Sequence, residues 1–124
     1  MWPVTRVGAG LVSLLVLLGT RQDALAHAVL LAATPRPSDA VAEATGVDLL
    51  FNSRLEPAFS QIWLAGPSGD RARLHAAPSR AANRLTASLP PLVPGVYTVR
   101  WRVLTVDGHI GHGSFWFRIV GPGP

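Results

Sequence analysis

The chain has 124 residues, enough for one domain, and 48% of them are hydrophobic. It contains no cysteine, which excludes disulfide bonds, iron–sulfur clusters and thiolate metal sites, so any metal must be held by nitrogen and oxygen ligands. All eleven basic residues are arginine and the formal net charge is +4, but the arginines are scattered along the sequence, so no nucleic-acid partner is expected.

The first 26 residues have the features of a secretory signal peptide. Arg6 precedes a run of 14 uncharged residues, Val7 to Thr20. This run is shorter than the roughly 20 residues of a membrane span. Ala24-Leu25-Ala26 then supplies the small-x-small pattern that signal peptidase accepts. We therefore predict cleavage after Ala26, export and a mature chain that begins at His27; an uncleaved anchor or a buried N-terminal helix is the alternative.

The rest of the chain is predicted as one domain over residues 27–120, followed by a disordered tail over 121–124. Apolar and polar residues alternate at the period of a β-strand, and proline and glycine mark the turns between the strands. The segment 38–45 is expected to hold one helical turn at most. Seven strands are predicted: Ala28–Ala33, Val47–Phe51, Phe59–Ala65, Arg71–His75, Arg84–Leu89, Val96–Val106 and His112–Val120.

Short strands at this spacing, without helical periodicity, favour an all-β fold. We expect an immunoglobulin-like Greek-key β-sandwich or barrel of about seven strands. Trp63, Trp101 and Trp116 lie at strand spacing and are predicted to be core or near-core residues.

Asp107-Gly108-His109 is the densest polar point of the sequence and lies between the two strongest strands. Residues two apart on an extended chain project to the same side, so the carboxylate and the imidazole can reach one point. The alternative is an ordinary hairpin turn in which Asp107 accepts a hydrogen bond from a backbone N–H.

His27 favours a metal site, because after cleavage it would offer both an α-amine and a ring nitrogen that close one chelate. Together with Asp107 and His109 it provides nitrogen and oxygen donors that suit tetragonal copper(II), with zinc as the main competitor. His112 is predicted to be a surface residue or a neighbour of the site rather than a ligand. His75, in a polar strand, is predicted to be solvated.

Several segments together resemble the CopC family of periplasmic copper-resistance proteins. These are the start at His27-Ala28, Thr34-Pro35-x-Pro37-Ser38, Leu50-Phe51-Asn52-Ser53-x-x-Glu56-Pro57-x-Phe59, Pro94-Gly95-x-Tyr97-x-Val99-x-Trp101, and Val106-Asp107-Gly108-His109 through Gly113-Ser114-Phe115-x-Phe117. The resemblance extends from His27 to about Val120.

The resemblance implies an immunoglobulin-like fold that binds one copper(II) ion per chain. The family's N-terminal histidine falls on His27, and its Asp-x-His motif falls on Asp107 and His109. Some members carry a methionine-rich copper(I) site, whereas the only methionine here is Met1. Some members are fused to a membrane domain resembling CopD, so a separate CopD-like inner-membrane copper transporter is the expected partner of a monomeric chain.

Three functions are compatible with these features. The first, which we favour, is a non-enzymatic periplasmic copper(II) carrier or buffer in copper resistance or homeostasis. The second is a copper oxidase with an N-terminal histidine brace, resembling a lytic polysaccharide monooxygenase; that chemistry needs an open copper position, which Asp107 would fill. The third is an adhesion or interaction domain without a metal.

Overall fold

The computed structural model describes Pro3 and residues 28–121. The rest of the predicted signal peptide, His27 and residues 122–124 lie outside the described residues. Within the described part, no helix is long and apolar enough to cross a membrane. Nine strands are present: β1 (Leu30–Thr34), β2 (Ala40–Val41), β3 (Gly46–Phe51), β4 (Gln61–Ala65), β5 (Arg71–Leu74), β6 (Ala76–Pro78), β7 (Arg84–Ser88), β8 (Gly95–Leu104) and β9 (Ile110–Ile119).

The strands form two sheets, which confirms the predicted β-sandwich. One sheet has four strands in the order β1-β3-β7-β6, and the other has five in the order β2-β9-β8-β4-β5. All pairs are antiparallel except β2 with β9, which is parallel. The longest pair, β8 with β9, runs in unbroken register from Gly95 opposite Ile119 to Leu104 opposite Ile110.

The core lies between the sheets and follows the predicted alternation. In β8, Tyr97, Val99, Trp101 and Val103 are buried while the residues between them face outward. Burying each such side chain contributes about 1.5–3 kcal/mol. The sheets are joined by edge-to-face packing of Phe51 from β3 on Trp101 from β8, with ring centroids 6.1 Å apart.

Four details differ from the sequence prediction. The segment 38–45 contains β2 rather than a helical turn, and β6 was not predicted. Phe59 does not begin a strand but ends a short 3-10 helix, Pro57–Phe59, with its side chain 66% exposed. Trp101 is buried as predicted, whereas Trp116 is 42% exposed, which contradicts the prediction. Trp63 is half-buried, and its position in β4 alternates with the buried Ile62 and Leu64.

The arginines are also less scattered than the sequence indicates. Five of them lie in β5, β8 and β9 at positions that alternate with buried core residues, so all five face outward from the five-stranded sheet. They are Arg71, Arg73, Arg100, Arg102 and Arg118.

Candidate metal site

The connection between β8 and β9 is a tight five-residue loop, residues 105–109. The N–H of Thr105 donates to the carbonyl of His109 over 2.8 Å, and the N–H of Gly108 donates to the carbonyl of Thr105 over 3.0 Å. Gly108 has a φ of +90°, the left-handed region that favours glycine. The loop therefore brings Asp107 and His109 to the same side of the hairpin end.

Thr105 anchors both candidate ligands from beneath. Its residue surface is only 3% exposed, and its hydroxyl accepts a hydrogen bond from the N–H of His109 over 3.0 Å. The same hydroxyl is in hydrogen-bond contact with the carboxylate of Asp107 and lies 3.1 Å from the carbonyl oxygen of His109. A hydroxyl has a single proton, so it donates to one of these two oxygens at a time.

Asp107 and His109 form a direct pair. Oδ2 of Asp107 lies 3.2 Å from Nδ1 of His109, and the two side chains are 68% and 47% exposed. The hydrogen bond from Thr105, followed by that from His109, holds the pKa of Asp107 below its ordinary value. The ionised carboxylate of Asp107 and the exposed imidazole of His109 can therefore offer one oxygen and one nitrogen to the same metal ion.

The N-terminal segment is fixed against the same end of the sandwich. Ala28 packs so tightly on Gly111 that a Cβ there would lie 3.0 Å from both the Cβ and the carbonyl oxygen of Ala28. Asn52 holds the next residue: the N–H of Val29 donates to Oδ1 of Asn52 over 2.8 Å, and the N–H of Asn52 donates to the carbonyl of Val29 over 3.0 Å. Gly111 is two residues past His109, so Ala28, the first residue of the described range 28–121, lies beside the candidate pair.

The segment after β3 supports the loop from its other side. Leu55 pairs with Thr105 in an isolated antiparallel bridge, and the N–H of Val106 donates to the carbonyl of Arg54 over 3.0 Å. The buried Ser60 donates to the carbonyl of Glu56 over 2.9 Å and accepts from the N–H of Leu104 over 3.2 Å. These contacts tie the hairpin end to the sandwich and so hold the backbone that carries Asp107 and His109.

Of the predicted ligands, the structure brings Asp107 and His109 together, and His27 lies outside the described residues. Within residues 28–121 no group of three histidine, aspartate or glutamate side chains is close enough to hold a metal. His112 lies exposed in β9 opposite Arg102, and His75 is exposed directly after β5. Neither therefore completes a site with the Asp107–His109 pair.

Two contributors were not identified from the sequence. Thr105 looks like one more alternating strand residue, although threonine hydroxyls are known to form hydrogen bonds with nearby backbone groups in turns. Asn52 lies in a break between strands, and its link to Val29, 23 residues earlier, is a tertiary contact without a local signal.

Comparison with known proteins identifies the family. The CopC domain matches residues 30–120. The chain belongs to the CopC family. CopC from Methylosinus trichosporium OB3b has a similar structure, with a TM-score of 0.74 and 32% sequence identity over 79% of this chain and 98% of that one. PcoC, a methionine-rich copper resistance protein from Escherichia coli, gives a TM-score of 0.64 and 28% identity over 75% of this chain and 98% of PcoC.

A third relative matches over a shorter stretch of the chain. Protein YobA of Escherichia coli strain K12 is 31% identical over 76 residues, which is 59% of this chain. The match spans 61% of the length of YobA. Membership of the CopC family agrees with the observed two-sheet fold.

Proposed function

We propose that the processed protein, beginning at His27, binds one copper(II) ion through four donors. These are the α-amine and ring nitrogen of His27, the carboxylate of Asp107 and the imidazole of His109. The single observation that carries the proposal is the contact of Ala28 with Gly111, because it leads the N-terminal segment to the exposed Asp107–His109 pair. Consecutive Cα atoms are about 3.8 Å apart, so the proposal needs no long connection between Ala28 and the first ligand.

The chemistry of the described donors fits copper(II). Two ligand atoms that each lie about 2.0–2.2 Å from one ion, at roughly right angles, are separated by about 3 Å. Asp107 Oδ2 and His109 Nδ1 are 3.2 Å apart before any metal is bound. Nitrogen and carboxylate donors suit tetragonal copper(II), whereas copper(I) prefers the thiolates and thioethers that this site lacks.

The role we infer is that of a periplasmic copper(II) carrier or buffer in copper resistance or homeostasis. It is supported by the copper resistance function named for PcoC and by membership of the CopC family. We propose a monomer that exchanges copper with a separate CopD-like inner-membrane transporter. An enzymatic role is not favoured, because a ligating Asp107 occupies a position that oxygen activation would need to keep open.

Copper titration of the processed protein, followed by electron paramagnetic resonance, tests this proposal. We expect saturation at one equivalent and a tetragonal copper(II) spectrum with hyperfine coupling from three nitrogens, one amine and two imidazoles. Zinc in equal amount should not displace the copper, because copper(II) stands above zinc in the divalent affinity series. A protein that retains no copper after desalting, or shows coupling to one nitrogen only, would contradict the proposed site.

A further inference from the structure

The outer surface of the five-stranded sheet carries a patch of arginines that the copper site does not use. We call the outward-facing residues Arg71, Arg73, Arg100, Arg102 and Arg118 the arginine face. The residues are far apart in sequence, but the strand register aligns them. Trp63 in β4 lies directly between Arg73 of β5 and Arg100 of β8, because it is paired with both.

The strands that carry the arginine face contribute no acidic side chain to it, and the nearest aspartates in sequence, Asp39 and Asp70, lie directly before β2 and β5. Strands β2, β4, β5, β8 and β9 contain no aspartate or glutamate. Among the described residues, the ion pairs are Arg84 with Asp48 and His109 with Asp107, so none of the five arginines is paired within that part of the chain. Unpaired charges of one sign on one surface repel each other and produce a positive potential that attracts anionic groups.

Two hollows lie side by side on this face. The first is lined by Trp63, Ala65, Arg71, Thr98 and Arg100, with the small residues Ala65 and Thr98 between the longer side chains. The second is lined by Trp63, Arg100, Trp101, Arg102, His112, Gly113 and Ser114. Trp63 and Arg100 belong to both hollows. Each hollow therefore combines an indole surface with guanidinium groups, which bind carboxylates in a bidentate manner.

We infer that the arginine face is a docking surface for an acidic patch of a partner protein, whose carboxylate and aromatic side chains enter the two hollows. Arginine and tryptophan are enriched at the energetically dominant positions of protein interfaces. The face spans about 19 Å across five strands and about 33 Å along β8. Because β2, β4 and β5 are shorter than β8, the area of the face is roughly 500 Å². This is about three-fifths of the roughly 800 Å² that each partner contributes to a standard interface.

An anionic lipid surface fits the same charge less well. Membrane attachment is strengthened by contiguous apolar side chains that enter the headgroup region. Here the exposed apolar residues are divided: Val96 and Trp116 lie towards one end of the face and Ile110 lies at the other. The centre holds arginines around hollows, which side chains of a protein can fill.

The end of the face at Arg102 and His112 adjoins the hairpin loop, since Ile110 follows His109 directly. A partner docked there would lie beside the candidate copper ligands. The docking surface does not depend on copper, however, so it can be tested with the metal-free protein.

The test measures binding of a random copolymer of glutamate and tyrosine by isothermal titration calorimetry. Arg71→Gln combined with Arg100→Gln removes two charges from the first hollow. Arg36→Gln combined with Arg80→Gln removes the same charge from exposed positions outside the face, and is the matched control. Vesicles containing phosphatidylglycerol provide a separate arm, and circular dichroism checks that each variant folds.

We expect the face variant to bind the copolymer about tenfold more weakly than the unmodified protein, and the control to change by less than about twofold. Trp63→Leu should reduce the affinity for the copolymer to that for poly-L-glutamate, because the indole surface is lost. If both double variants bound the copolymer equally weakly, net charge alone would explain the binding and the proposal would be overturned. Binding to the vesicles without binding to the copolymer would also overturn it, in favour of a lipid surface.

Discussion

Ala28 rests on Gly111 so closely that a side chain at position 111 would require Ala28 to move. A Cβ at position 111 would meet the backbone nitrogen of Ala28 at 3.2 Å and its carbonyl oxygen at 3.0 Å. A substitution there should push the N-terminal segment away from Asp107 and His109 without touching either. The spacing of the proposed ligands, and not only their identity, is thus open to experiment.

Gly111→Ala is expected to weaken copper(II) binding by about threefold and Gly111→Val by about tenfold or more, as the larger side chain displaces Ala28 further. Competition titration against a chelator of known affinity measures the effect. Gly66→Ala is the control, since a Cβ there finds no atom closer than 3.8 Å. An unchanged copper(II) affinity of Gly111→Val would show that the N-terminal segment does not contribute to the site.

A glycine added before His27 should weaken copper(II) binding by about a hundredfold or more, because the α-amine becomes an amide and the chelate is lost. The measurement is the same competition titration on protein whose first residue has been verified by mass spectrometry. A glycine added after Pro124 is the control. Equal affinity of both extended proteins would rule out the N-terminal brace.

Asp107→Ala and His109→Ala should each weaken copper(II) binding by more than about tenfold, while circular dichroism remains unchanged. Both side chains are largely exposed, so their removal leaves no cavity in the core. Asp70→Ala and His75→Ala are the matched controls, since both residues are exposed and lie outside the hairpin loop. If the control variants lose as much affinity as the loop variants, the loop does not hold the metal.

Thr105→Val should destabilise the fold by about 1 kcal/mol, because it removes the acceptor of the His109 N–H. It should also raise the pKa of Asp107 towards its ordinary value, since the hydrogen bond from Thr105 is the largest cause of its lowering. Carboxyl-carbon NMR titration measures this pKa, and Thr98→Val is the control. A pKa of Asp107 that does not move would contradict the arrangement in the loop.

The sign of the accompanying pH effect follows from the lowered pKa. A carboxyl whose pKa is lower in the folded state stabilises the fold above its unfolded value, near 3.9, and this contribution is lost as pH falls through the folded value. The difference in stability between Thr105→Val and the unmodified protein should therefore shrink below about pH 4. Chemical denaturation at pH 7 and pH 2.5 makes the comparison.

Copper(II) should raise the melting temperature clearly at pH 7 and progressively less towards pH 4. A ligand at a thousandfold excess over its dissociation constant stabilises the native state by roughly 4 kcal/mol. Protons compete with copper at the amine, the imidazoles and the carboxylate, because each donor must be deprotonated to bind. The lowered pKa of Asp107 keeps its carboxylate ionised to lower pH than an ordinary aspartate.

The same melting series with copper(I) under a reductant should give a much smaller shift, because the proposed site has no sulfur ligand. Differential scanning calorimetry with either ion covers the full pH range. Equal stabilisation by copper(I) would mean that other residues hold the metal, as would a copper(II) shift that persists undiminished at pH 4.

The strands that were predicted correctly are those long enough to show their period. β8 and β9 have ten residues each, so the alternation of buried and exposed positions is unmistakable. β2 and β6 have two and three residues, too few for any period, and exist because a neighbouring strand offers them backbone partners. The prediction for Trp116 was wrong because its large apolar side chain faces outward from β9, which the residue type alone does not reveal.

The contact between Asp107 and His109 was predictable because it is local. Asp107 and His109 are two residues apart, so their convergence follows from backbone geometry. The support from Thr105 and Asn52 depends on burial and on a contact across 23 residues, which only the folded chain establishes. The arginine face escaped notice for the same reason, since register, not sequence, brings Arg73 and Arg100 to opposite sides of Trp63.

The order of the strands also bears on how a cysteine-free domain avoids self-association. β8 lies between β9 and β4, whereas β2 pairs with β9 only at Arg118 and Ile119. The strands at the ends of the two sheets are β1, β6, β2 and β5, of five, three, two and four residues. Unpaired edges invite another chain to add a strand, and short edges, charged edges and proline oppose this. β5 carries Arg71 and Arg73, and β6 ends in Pro78, which has no N–H to donate. The strands at the ends of the sheets are thus short or charged, which opposes amyloid-like stacking. The stretch of β9 before Arg118 is not paired with β2, so it is the part of this sheet most open to an added strand.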